Sequence, residues 1–72
     1  MEAVDFPLRG EHITLDALLK ASGIVSSGGA AKLLIAEGGV RVNGEAETRR
    51  GRKLRVGDEV QLGANRVRLQ AE

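Results

Sequence analysis

The stretch Leu33-Leu34-Ile35-Ala36-Glu37-Gly38-Gly39-Val40-Arg41-Val42-Asn43-Gly44 changes its hydrophobic period halfway along, and that change decides the fold. Up to Glu37 the apolar residues keep helical spacing, with Ala31, Leu34 and Ile35 forming one inward stripe. Gly38 and Gly39 are placed to stop that helix. Val40-Arg41-Val42 then alternates with period two. Asn43-Gly44 suits a type I′ turn, whose two central residues need positive φ. A helix that runs straight into a hairpin indicates an α+β domain.

Upstream, this helix is expected to run from about Ser27 to Glu37, with Ser26 or Ser27 as its cap. Gly28 and Gly29 fall in its first turn. Glycine costs a helix about 1 kcal/mol relative to Ala, so the pair implies either close packing or the approach of a ligand to the backbone. Gly28, which the i+4 spacing sets beside Lys32, is expected to serve an anion; Gly29 is expected to serve packing. An earlier helix opens at Ile13-Thr14-Leu15-Asp16, with Thr14 as its expected cap and Leu15, Leu18 and Leu19 as its apolar stripe. Gly23 ends it.

Downstream, Leu54 and Val56 lead into a turn at Gly57-Asp58. Val60-Gln61-Leu62 and Arg66-Val67-Arg68-Leu69 read as a hairpin with the valines and leucines inward and the arginines outward. Val4 to Leu8 is a further strand, which Pro7 places at an edge. The expected architecture is two helices packed on a small antiparallel sheet with a β-hairpin, in one domain spanning residues 1–72.

Composition narrows the chemistry. The 72 residues include no Cys and one His, which leaves no disulfide, no thiolate nucleophile and no metal-ligand set. His12 has no partner evident in sequence and reads as a surface residue. Glu45 and Glu47 lie among arginines and read as ion-pair partners. No phosphate-binding loop or dinucleotide fingerprint is present. The reading is therefore a non-catalytic binder with no cofactor and no small-molecule substrate. Apolar runs stay short of the roughly 20 residues of a membrane span, so a cytoplasmic monomer is expected. Aromatic residues make up 1% of the chain, which removes the base-stacking platforms of single-strand readers. The net charge of +1 hides an asymmetry: residues 41–68 carry eight basic side chains against four acidic ones. Five of the seven residues in Arg49–Arg55 are basic, which points to a polyanionic partner.

Leu15-Asp16 with Leu18, Gly23, a Ser-led second helix, Ala31-Lys32 with Leu34-Ile35 and Gly38, Val40-Arg41-Val42-Asn43-Gly44, and Val56-Gly57-Asp58 with Val60 occur in family order. Over residues 13–62 they resemble the RNA-binding domain named after small-subunit ribosomal protein S-four. The chain is most similar to small stand-alone bacterial members that carry Gly28-Gly29, Glu45 with Glu47, and Arg49-Arg50-Gly51-Arg52-Lys53 as a set. The resemblance implies the alpha-L fold and a partner that is structured RNA, ribosomal or transfer RNA, with a place in ribosome assembly or translation and the ribosome as a candidate partner. Thr14 and Gly28 stand where the family often carries basic residues, so Lys32, Arg41 and the arginine-rich loop are expected to supply that charge. The candidate RNA-binding set is Ser27, Gly28, Gly29, Lys32, Arg41, Asn43, Arg49, Arg50, Arg52, Lys53 and Arg55.

Two other classes fit parts of the chain. A protein-interaction module could use the same basic loop against an acidic partner. A sulfur-carrier or ubiquitin-like module would need a C-terminal Gly-Gly, and this chain ends Leu69-Gln70-Ala71-Glu72.

Overall fold

The short apolar stripes and alternating runs resolve into nine elements in a computed structural model, which describes residues 2–72 and their side chains from Val4 onward. They are β1 (Glu2–Leu8), β2 (Ile13–Thr14), α1 (Leu15–Ala21), α2 (Gly28–Ala36), β3 (Val40–Val42), β4 (Glu45–Ala46), β5 (Lys53–Leu54), β6 (Glu59–Leu62) and β7 (Asn65–Ala71). The change of period at Gly38 is the end of α2 and the start of β3, as expected. Asn43 and Gly44 take φ of 53° and 86°, the left-handed pair that a type I′ turn requires.

The main sheet runs β1-β7-β6-β3-β4, with β1 at its edge as Pro7 implied. It is not purely antiparallel, which corrects the expected architecture. β1 lies parallel to β7, from Glu2 opposite Asn65 to Leu8 opposite Ala71, while the other pairs are antiparallel. Alternation shows which face of a strand is buried; it carries no information about the direction of a partner so far away in sequence. A second, two-stranded ribbon pairs β2 with β5, setting Ile13 opposite Leu54 and Thr14 opposite Lys53. Sequence reasoning left Ile13 and Leu54 in unrelated segments.

Both helices cover one face of the main sheet. Leu15, Leu18 and Leu19 of α1 meet Ala31 and Ile35 of α2 and the inward valines of β3, β6 and β7 in one core. Leu54 extends that core under the ribbon and is fully buried. Arg41, between buried Val40 and Val42, therefore faces away from the helices. On that outer face Glu59 lies 3.4 Å from both Arg66 and Arg68. Val56, between β5 and the Gly57-Asp58 turn, is exposed.

Candidate nucleic-acid interface

A helix begins with N–H donors that lack intrahelical acceptors, and something must satisfy them. At α1 the sequence offers Thr14, which does occupy the cap position, but its side chain makes no capping hydrogen bond. The basic loop satisfies the donors instead. Leu15 N donates to the Arg52 carbonyl at 2.9 Å and Asp16 N to the Arg50 carbonyl at 3.1 Å. Ala17 N donates to Asp16 Oδ1 at 2.9 Å. The expected Thr14 cap fails because the N–H groups it would accept from, those of Asp16 and Ala17, are already held by the Arg50 carbonyl and Asp16 Oδ1. The loop backbone is thereby fixed to the helix, and its side chains project from an anchored chain.

Glu47 is the second anchor. Its N–H donates to the Val40 carbonyl at 2.9 Å, extending the ladder from β3, and only 5% of the residue is exposed. Its carboxylate accepts the backbone N–H groups of Thr48 and Arg49 at 3.0 and 3.1 Å. Arg49 adds Nε to Oε2 at 3.1 Å and Nη2 to Oε1 at 3.2 Å, and Arg52 adds Nη1 to Oε1 at 2.9 Å. Glu45, expected to pair likewise, makes no ion pair among the described residues and is exposed. It sits on the short outer strand β4, away from the loop arginines that gather around Glu47.

The Arg49 side-chain bond, followed by the Arg49 backbone bond and the Arg52 bond, lowers the Glu47 pKa from the usual 4.5 to about 2. The same contact raises Arg49. A depressed carboxylate contributes stability that is fully present above pH 4.5 and lost as pH falls through about 2. In acid titrations followed by circular dichroism, the wild type should lose stability through that window more steeply than Glu47→Gln. Parallel curves would remove Glu47 as the cause.

The other candidates divide into groups. Arg50, Lys53 and Arg55 are exposed and make no ion pair among the described residues. Lys53 and Arg55 flank buried Leu54, and Lys53 lies directly across from Thr14. With Arg49 they belong to the loop segment whose carbonyls cap the start of α1 and whose Lys53 pairs beside it. On α2, Ser27 Oγ accepts from Ala30 N at 3.2 Å, leaving Gly28 and Gly29 N–H in the first turn without intrahelical acceptors. A Cβ built at Gly28 would meet nothing within 4 Å. At Gly29 it would meet only Ser27 Oγ, at 3.9 Å. The packing expected at Gly29 is therefore wrong, because its side of α2 faces solvent rather than α1. Lys32 is exposed one turn further on. α1 links the two regions, with the basic loop on its N-terminus and α2 packed on its flank.

Two candidates lie elsewhere. Arg41 is on the outer face of the sheet, away from α2. The Asn43 amide is engaged within the fold: Nδ2 donates to Asp58 Oδ1 and Oδ1 accepts from Glu59 N, both at 3.0 Å. It ties the β3–β4 turn to the start of β6. Sequence reasoning missed the burial of Glu47; its one signal was a carboxylate two residues ahead of a run of arginines. Among the described residues no cluster of His, Asp and Glu could hold a metal, and no helix is long and apolar enough to cross a membrane.

Comparison with known proteins adds to this geometry. The family model described as S4 domain matches residues 6–70, extending beyond residues 13–62 at both ends. A Bacillus subtilis protein named probable ribosome maturation protein RlbA is 50% identical over 52 residues, covering 72% of this chain and 73% of that one. The Escherichia coli putative RNA-binding protein YbcJ is 42% identical over 60 residues, covering 83% and 86%. The solution structure of YbcJ, described as revealing an alpha-L motif involved in RNA binding, aligns with a TM-score of 0.70 at 36% identity. That alignment covers 96% of this chain and 86% of YbcJ. Heat Shock Protein 15 of Vibrio cholerae, solved as a trimer, shares the fold at a TM-score of 0.67 and 22% identity, over 78% of this chain and 58% of that one.

Proposed function

The chain belongs to the S4 domain family, and from that premise we propose that it is a non-catalytic RNA-binding protein that recognises structured RNA through phosphate and shape contacts. The observation that carries the reading is the basic loop itself. Its backbone is held on α1 through the Arg50 and Arg52 carbonyls, while Arg50, Lys53 and Arg55 remain exposed and unpaired among the described residues. A-form RNA hides its base edges in a narrow major groove, so a protein with a single aromatic residue must read phosphate spacing and shape. Arginine suits this work because its planar fork can hold phosphate bidentately. Lys53, opposite Thr14, supplies charge beside the position where the family often has a basic residue. Ser27, Gly28, Gly29 and Lys32 extend the surface onto α2.

Ribosomal RNA is the proposed target, in the cytoplasm and during ribosome maturation. The name of the Bacillus subtilis relative supports that choice. If five to seven phosphates are neutralised, log K should fall against log salt with a slope of roughly −4 to −6. Fluorescence anisotropy on an RNA hairpin at a series of salt concentrations measures it. A slope near zero would falsify the reading, and tight binding of an acidic protein instead would favour the interaction-module alternative.

A further inference from the structure

We propose that Glu47 is a positioning residue of the RNA-binding loop: it acts through Arg49, holding that guanidinium in one orientation so that its remaining N–H donors meet a phosphate already aligned. The inference rests on the RNA-binding reading and deepens it by separating the loop arginines according to what each does.

The geometry around Glu47 is over-determined. Oε2 accepts from Thr48 N, Arg49 N and Arg49 Nε, and Oε1 accepts from Arg49 Nη2 and Arg52 Nη1. A carboxylate gripped on both oxygens cannot rotate freely, and its burial keeps water from competing for them. Arg49 and Arg52 then differ in a telling way. The Arg52 side chain is 32% exposed, whereas that of Arg49 is 77% exposed despite its double contact with the same carboxylate. Arg52 is a counter-charge set into the fold. Arg49 is fixed along one edge and open along the others, so donors not turned toward Glu47 reach outward. A free arginine loses rotamer freedom when it docks on phosphate; one that is already oriented loses less. Arg50, Lys53 and Arg55 have no such partner among the described residues, so they contribute charge without fixed geometry.

The charge balance makes the proposal testable by sign. Glu47→Gln removes a negative charge beside the RNA surface. Electrostatics alone predicts tighter binding and a salt slope steeper by up to about 0.9. Positioning predicts the reverse: binding weaker by about three- to tenfold, because Gln offers one acceptor oxygen and turns an N–H₂ toward a guanidinium. Arg49→Lys keeps the charge but loses the planar fork, and should weaken binding to a similar degree. Arg50→Lys, with no fork held in place, should change little. In the double variant Glu47→Gln with Arg49→Lys, the loss should not exceed that of Arg49→Lys alone, since Glu47 acts through Arg49.

Anisotropy titrations of a fluorescent RNA hairpin on all four variants, each checked by thermal melting, read these differences. A distinct Arg49 Nε–H resonance in the wild type, lost in Glu47→Gln, is the matching spectroscopic sign. Tighter binding by Glu47→Gln, or additive losses in the double variant, would overturn the proposal while leaving RNA binding intact. Absence of salt-dependent binding by the wild type would overturn the functional reading and this proposal with it. Should Glu47→Gln fail to fold, the lysine pair decides: a loss confined to Arg49→Lys supports positioning, and equal effects at Arg49 and Arg50 overturn it.

Discussion

Arg50→Glu is expected to bind structured RNA at least tenfold more weakly while its Tm stays within about 4 °C of the wild type. Arg52→Glu is expected to lower Tm by about 10 °C or more. From sequence the two arginines look equivalent, separated only by Gly51 in one basic run. The fold separates them. Arg50 contributes its carbonyl to α1 and leaves its side chain exposed without an ion pair among the described residues, so reversing its charge removes the proposed phosphate contact and adds repulsion. Arg52 lies 2.9 Å from the buried Glu47 carboxylate, so a glutamate there would replace an ion pair with two facing carboxylates. Thermal melts and RNA titrations on both variants measure the contrast. Equal melting temperatures would show that Arg52 is not part of the fold.

Gly28→Ala is expected to raise stability by up to about 1 kcal/mol and yet to lose about tenfold in RNA affinity. The stability gain follows from open space, since the new methyl meets nothing within 4 Å. The affinity loss is expected because, in the proposed function, a phosphate reaches the Gly28 N–H group past this bare position, on the side of α2 that carries Lys32. Gly29→Ala should be equally stable, with only Ser27 Oγ at 3.9 Å near its methyl, so the two variants compare neighbouring positions of the same proposed surface at matched helix propensity. A stable Gly28→Ala that binds RNA undiminished would remove the start of α2 from the interface.

Features that leave a local trace were legible in the sequence. The shift of period at Gly38, the Asn43-Gly44 turn, the β6–β7 hairpin and the edge position that Pro7 imposes are each set by residues within a few positions of one another. What could not be read depends on partners brought from elsewhere. The parallel direction of β1 is fixed by β7, and the β2–β5 ribbon exists because Ile13 and Leu54 share one core. Thr14 has the right chemistry for a cap, yet a carbonyl from a distant loop and the Asp16 side chain hold the donors it would take. Glu47 shows the same limit at the candidate site. A carboxylate among arginines reads as a solvated pair, and only the fold shows that it is buried and held on both oxygens.

The pairing of β1 with β7 also governs how the chain reaches its folded state. Every β1 residue meets a partner 63 positions further on, the separation that also divides Arg9 from Glu72 in their 2.8 Å ion pair. Contacts of such length are slow to form, because loop-closure entropy is lost before any pairing compensates for it. Between them lie a helix pair and two hairpins closed by short turns, which can assemble quickly. β1 is synthesised before its partner and can pair only once residues 65–71 are available. Until then Phe6 and Leu8 remain without the neighbours that bury them, and in that interval the nascent chain is most exposed to aggregation.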